Sequence, residues 1–180
     1  IGGRGLNSWT LYNLVKEDIN EFSPDNPLII GAGPLCGTIF PSASKYTFTA
    51  KSPLSGIFGD STAGGYFGPE MKFAGYDQIK ITGASAKPVY LLIDDDYVEI
   101  KDASDLWGKD TWTTQKEIKQ KVGDDFKISC IGQAGENKIR YAGIIHGLKR
   151  AAGKFGMGAV MGSKRLKAIA VRGTRGIGIA

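Results

Sequence analysis

Histidine is almost missing from these 180 residues, with His146 standing alone. Cysteine is nearly as scarce: Cys36 and Cys130 lie far apart, and no CxxC pair exists. A zinc ion or an iron–sulfur cluster needs several such ligands at close spacing, so this chain supplies neither site by itself. The two thiols read as half-buried cysteines of an intracellular protein. No apolar run approaches the roughly 20 residues of a membrane-spanning helix, and no secretory signal is visible. The phosphate-binding pattern GxxxxGK[ST] is absent, as is a GxGxxG between strand and helix, so nucleoside triphosphate and dinucleotide binding are poorly supported. There is no GxSxG, and no pair of carboxylates stands at an acid–base spacing within one element. A lone histidine after an apolar strand, as at His146, reads as structural rather than catalytic.

Acidic residues are also missing from one whole stretch. From Lys138 to the end there are ten Lys or Arg and no Asp or Glu, which leaves 13 basic and 18 acidic residues in 1–137. The chain's net charge of +5 therefore conceals a first part at −5. A basic segment invites a nucleic-acid partner. This one has a single aromatic after Tyr141, namely Phe155, so stacking platforms for bases are wanting. A smaller polyanion, such as a phosphorylated cofactor, suits it at least as well.

What is present begins with 42% hydrophobic residues over a length that can bury one substantial core. The chain opens on Ile1, not Met, followed by Gly2-Gly3-Arg4-Gly5, and is expected to be one domain, 1–180, of a longer enzyme. Residues 6–19 read as a helix capped by Asn7 or Ser8, with Leu11, Leu14, Val15 and Ile19 at helical spacing. Strands are predicted at Leu28–Ile30, Lys45–Lys51, Gln78–Thr82, Val89–Ile93, Tyr97–Ile100, Phe126–Ile131, Ile139–Ile145 and Leu166–Arg172. Asp94-Asp95-Asp96 reads as a hairpin turn in solvent rather than a metal site. Asp110 or Thr111 caps a second helix ending at Val122, with Trp112, Ile118 and Val122 pointing inward.

The organising stretch is Lys51 to Gly75, KSPLSGIFGDSTAGGYFGPEMKFAG. Gly59-Asp60-Ser61-Thr62-Ala63-Gly64-Gly65 predicts a glycine-rich loop feeding a short helix, Tyr66–Ala74, whose free amides suit an anion. The order of features then repeats. Ile29-Ile30-Gly31-Ala32-Gly33, a strand, a loop, Phe67-Gly68, a helix and a strand are echoed by Cys130-Ile131-Gly132-Gln133-Ala134-Gly135, a strand, Lys149–Gly153, Phe155-Gly156, a helix and Leu166–Arg172. The echo predicts two related α+β units about a pseudo-twofold axis, each bringing one loop to a shared anion cradle. Lys45 flanks the first loop, and Lys149, Arg150 and Lys154 surround the second. Arg150 offers a fork for phosphate, the lysines point charges. Asp60 is the awkward member, as a helix cap or the partner of a counter-ion.

Gly3-Arg4-Gly5-Leu6, Phe22-Ser23-Pro24-Asp25-Asn26, Gly33-Pro34-Leu35-Cys36-Gly37-Thr38, Lys51–Gly56, Gly64–Gly68, Lys72–Asp77, Lys101–Lys109, Ile131–Asn137, Arg150–Gly153 and Gly158–Ala168 follow one another along the chain. Together they make the sequence resemble, from end to end, the N-terminal domain of the aldehyde ferredoxin oxidoreductase family. That resemblance implies an α+β fold, a duplication of two intertwined β-rich repeats with short helices. It also implies a base for two pyranopterins holding one tungsten, or molybdenum, with Mg2+ bridging their phosphates. By motif position the backbone carbonyls of Thr62 and Ala151 complete the magnesium site, and Arg150 contacts phosphate. Ala63, Gly64, Gly65 and Gly153 belong to the same cofactor-binding segments. Lys45 stands where relatives carry arginine, which leaves one contact instead of a bidentate pair. Lys154 and Phe155 replace an Arg-Gly pair, and Thr62 replaces an asparagine whose ligand atom is main chain.

The implied reaction is oxidation of an aldehyde to a carboxylate, with electrons passing through a [4Fe–4S] cluster to ferredoxin. The cluster's cysteines and the acid–base groups would lie in later domains, so this stretch alone is expected to be inactive. The implied protein is cytoplasmic, free of membrane and compatible with a homo-oligomer. Two other readings stay open: the same cofactor domain in a tungsten-dependent aromatic acyl-CoA reductase, and a stand-alone module for a phosphorylated ligand or nucleic acid.

Overall fold

The computed structural model describes residues 2–16 and 18–178. Its first helix, α1 (Gly3–Leu14), begins earlier and stops sooner than residues 6–19. Gly2 is the N-cap, with no side-chain cap bond. Asn7 is instead fully buried: its amide donates to Thr47 O at 3.0 Å and Thr49 Oγ1 at 3.1 Å, and accepts from Gln78 Nε2 at 2.9 Å. A buried amide is tolerated only when so satisfied. Leu11 packs inward, whereas Leu14, Trp9 and Tyr12 face solvent. Of residues 6–19, Glu17 lies outside the described residues.

Four strands follow: β1 (Leu28–Ala32), β2 (Tyr46–Lys51), β3 (Phe58–Ala63) and, after helix α2 (Phe67–Phe73), β4 (Gln78–Ile81). They form an antiparallel sheet in the order β3-β2-β1-β4. Gly31 of β1 lies under α1, and any Cβ there would run into the Asn7 amide. The stretch read as a glycine-rich loop is thus mostly strand β3. Thr62, Ser61 and Asp60 alternate like any edge-strand residues, and only Gly64–Tyr66 remains loop.

The hairpin β5 (Val89–Asp94) and β6 (Tyr97–Asp102) leads to α3 (Thr111–Val122). Asp110 caps α3, accepting from Trp112 N and Thr113 N at 2.8 Å each. Thr114, Gln115 and Ile118 fill its inward stripe, so Trp112 is left exposed, contrary to the sequence expectation. Then come β7 (Lys127–Cys130), a single turn α4 (Gln133–Glu136), β8 (Ile144–His146), β9 (Arg150–Ala152), α5 (Met157–Ser163) and β10 (Leu166–Arg172). The strand expected over 139–145 shrinks to β8, and the second expected loop is largely β9. Backbone pairing of Ile145 with Ala151 claims those residues for a hairpin.

The second sheet runs β6-β5-β10-β7-β8-β9. Its last four strands, β9-β8-β7-β10, reproduce β3-β2-β1-β4 strand for strand, all antiparallel. Both sets carry a seven-residue helix between their third and fourth strands. The duplication read from sequence is a duplication of fold. The repeats are intertwined because α2 and α5 both lie between the sheets. There Phe67 and Met71 of α2, with Met157, Val160 and Met161 of α5, pack with Leu28, Ile30, Phe48, Ile144, Ile169 and Val171 of both sheets. Each such side chain contributes about 1.5–3 kcal/mol by leaving water. A second core under α3 gathers Tyr90, Leu92, Leu106, Ile118, Phe126 and Ile128.

Candidate functional site

The edge strands β3 and β9 of the two sheets meet. Ser61 Oγ accepts the Lys154 N–H at 2.8 Å, and Ser52 Oγ donates to Phe155 O at 2.8 Å. Between the edges lies a hollow of about 490 Å³ lined by Arg4, Asp60, Ser61, Thr62, Ala151, Gly153, Lys154 and Phe155. Four of the residues picked out in the sequence, Thr62, Ala151, Gly153 and Lys154, therefore share one cavity wall. Ala63 is buried in the core beneath it. Tyr46 pairs with Ala63, so Lys45 and Gly64 flank the same end of the β2–β3 ladder, with Lys45 exposed.

Gly65 closes that end at φ +98°, where an added Cβ would lie 3.1 Å from His146 Cδ2 and 3.4 Å from Arg150 Cγ. A side chain would be both strained and in the way, so glycine lets the two loops come together. His146, a β8 residue, is what they close over. Its Nδ1–H donates to Ile128 O at 2.9 Å and its Nε2 accepts the Phe67 N–H at 3.2 Å. That N–H is one of the unpaired donors of α2's first turn. The bonding fixes a neutral tautomer, and burial pushes its pKa below 6.5. His146 is a clasp between the repeats, in agreement with its reading as structural.

The hollow's electrostatics are lopsided. Arg4 and Lys154 are its lining cations and Asp60 its one lining carboxylate, whereas Arg150 and Lys45 are exposed but do not line it. Asp60 neither caps α2 nor faces the cavity uncompensated: Arg4 Nε sits 2.7 Å from its Oδ2. Elsewhere the basic C-terminal segment is spent internally. Lys167 is buried against Glu136 and Lys109 O, and Lys164 donates to Pro24 O and Gly83 O. Arg140 and Arg165 reach Pro53 O and Ala86 O, and Arg172 and Arg175 pair with Asp94 and Asp96. Six of the ten cations are thereby engaged within the protein. The aspartate turn is an exposed hairpin turn, as read from the sequence, in which Asp95 accepts from Thr174. Among the described residues no cluster of His, Cys, Asp and Glu could hold a metal ion. Cys36 and Cys130 are fully buried, not half-buried, and burial pushes their thiols up to about 11 and about 12.

Two wider hollows, of about 620 Å³ beside β4–β6 and about 780 Å³ beside α1, are walled chiefly by aliphatic and aromatic side chains, and neither is lined by β9. The small hollow is the one lined by both β3 and β9. Sequence reasoning missed Arg4, Ser61 and the His146 clasp. Arg4 had a signal, its place between glycines, but nothing local says that α1 would lay it against β3.

The class of protein is an α+β domain built as a duplication, whose two repeats meet at one hollow. Residues 1–173 match the family described as aldehyde ferredoxin oxidoreductase, N-terminal domain, and the chain belongs to that family. It is 48% identical, over its whole length, to 30% of the tungsten-containing aldehyde ferredoxin oxidoreductase of Pyrococcus furiosus. It is 38% identical, over 96% of its length, to 30% of the aliphatic sulfonate oxidoreductase WOR-like subunit of the same organism. Among solved structures, the active site complex BamBC of benzoyl coenzyme A reductase, in complex with 1,5-dienoyl-CoA, superposes with TM-score 0.95 at 43% identity. The match covers 97% of this chain and 27% of that one. The chain thus spans about 30% of the length of these curated relatives. No helix among the described residues is long and apolar enough to cross a membrane.

Proposed function

We propose that this chain is the cofactor-holding domain of a tungsten-dependent oxidoreductase acting on aldehydes, one part of a longer protein. The observation that carries the proposal is the meeting of equivalent segments of two repeats in one cation-rimmed hollow. A guest recognised equally by both is itself two-part and anionic, which fits a pair of phosphorylated pyranopterins. Arg150 would fork onto one phosphate, with Lys45 and Lys154 as point charges. The backbone oxygens of Thr62 and Ala151 would hold Mg2+ between the phosphates; hard oxygen donors suit that ion. Gly64, Gly65 and Gly153 would let the ring systems lie close to the main chain. When bound, the pterin-held tungsten, or molybdenum, supplies the two-electron oxidation of aldehyde to carboxylate. The rest of the route, a [4Fe–4S] cluster and ferredoxin, is assigned to parts of the protein beyond these residues. The domain's own work is to bind, orient and keep the group rigidly based, which the His146 clasp and the Ser61–Lys154 bond serve.

The likeness to benzoyl coenzyme A reductase favours a second reading, in which the same cradle serves reduction of an aromatic acyl-CoA. Assaying the intact protein with aldehydes and with aromatic acyl-CoA thioesters separates the two. The cradle itself is tested by metal and pterin analysis of intact Arg150→Ala and Arg175→Ala. Occupancy should fall in the first and hold in the second, whose side chain pairs with Asp96 away from the hollow. Equal occupancy in both would overturn the proposal.

A further inference from the structure

The duplicated segments are not the hollow's whole wall. Arg4 belongs to neither repeat, yet it lines the cavity with Asp60, Thr62, Ala151 and Lys154. Its position follows from α1's seating. Arg4, Asn7 and Leu11 are spaced i, i+3 and i+7, so they share one face of the helix. Asn7 and Leu11 bury that face on the first sheet, and Asn7 bonds to Thr49. Thr49 is the register partner of Asp60. One turn back from Asn7, the Arg4 side chain therefore reaches Asp60, where Nε lies 2.7 Å from Oδ2. The two partners differ in setting: the Asp60 side chain is 13% exposed and that of Arg4 66% exposed.

A guanidinium carries five N–H donors in a planar fork. Asp60 Oδ2 faces the Nε side as an ion pair without hydrogen-bond alignment, and among the described residues no hydrogen bond from either Nη group is present. The pair also resolves the oddity of a carboxylate inside an anion cradle. Asp60 costs the site no net negative charge, because its charge is matched and serves to hold a cation in place.

Resting on the cradle reading above, we propose that Arg4 is a further phosphate-binding residue of this hollow, supplied by α1 and positioned by Asp60. Its free Nη groups would donate to a phosphate oxygen of the cofactor. The site thus takes a cation from outside the duplication, so the two ends of a pseudo-symmetric guest are held unequally.

The test measures tungsten and pterin retained per polypeptide in the intact protein, together with the melting temperature of the cofactor-free form. Arg4→Gln should retain the cofactor roughly five- to tenfold more weakly, and Arg4→Lys, which keeps the charge without the fork, should fall between it and wild type. Arg4→Lys should leave the cofactor-free melting temperature close to wild type. Arg4→Gln leaves the buried Asp60 oxygen unmatched and should lower it, so its retention is read beside Arg4→Gln/Asp60→Asn, which strands no charge. Asp60→Asn should lower retention by releasing Arg4; a rise would overturn the anchoring role, marking Asp60 as mere negative charge. Arg150→Ala is measured alongside. Loss in Arg150→Ala with wild-type retention in Arg4→Gln and Arg4→Lys would overturn the Arg4 proposal and leave the cradle standing. No loss in Arg150→Ala would remove the cradle and this proposal together.

Discussion

Replacing His146 by leucine should loosen the join between the repeats more than any change at the exposed rim. The ring is 6% exposed and satisfies two main-chain groups, Ile128 O at 2.9 Å and Phe67 N at 3.2 Å, on elements of different repeats. Leucine fills much of the volume but leaves both groups without a partner. An orphaned buried donor or acceptor costs about 1–3 kcal/mol, so the pair should cost roughly 2–5 kcal/mol. That corresponds to a melting-temperature drop on the order of 5–15 °C for a domain of this size. The sign of the pH effect follows from its depressed pKa. Between the folded value and the unfolded 6.5, the unfolded chain binds more protons. The histidine's contribution is therefore complete above 6.5 and lost as pH falls from there through the folded value. Thermal melts of intact wild type and His146→Leu should differ most above pH 7, and the gap should narrow toward pH 5. A variant as stable as wild type at pH 7.5, or a gap that widens in acid, would refute the clasp.

Three further outcomes are expected. Phe155 sits at φ +59°, so Phe155→Gly should be more stable than Phe155→Ala by about 1 kcal/mol, the reverse of the usual order, by thermal melt. Glu136→Ala should destabilise by roughly 3–5 kcal/mol in denaturant titration, because it strands the Lys167 ammonium in the interior. Burial lowers Lys164 from 10.5 to about 8, so the unfolded chain holds more protons between these values. Stability should rise with pH across that window, and Lys164→Met should flatten the rise in melts at pH 7.5 and 10.

The duplication was legible because it is written as an order of features, Ile-Gly before a strand and Phe-Gly before a short helix, that survives differences in loop length. The identity of the cradle segments as strands was not. Gly59-Asp60-Ser61-Thr62 has weak strand propensity, and what makes it β3 is pairing with Tyr46–Lys51, a tertiary choice. The same holds for Arg150–Ala152, which is strand only because β8 lies beside it. Asn7 misled in the other direction. Near a helix start it reads as a cap, and only the sheet beneath α1 turns it into a buried bridge. Thr62, Ala151, Gly153 and Lys154 were placed by motif and meet in one hollow, whereas Arg4 needed the register of Thr49 with Asp60 to be found.

A crystal structure of the intact protein carrying its cofactor tests the central claim most directly. The two phosphates should lie in the hollow between β3 and β9, joined by a magnesium ion ligated by the main-chain oxygens of Thr62 and Ala151. A cofactor bound elsewhere, with these two segments contacting only solvent or protein, would contradict it.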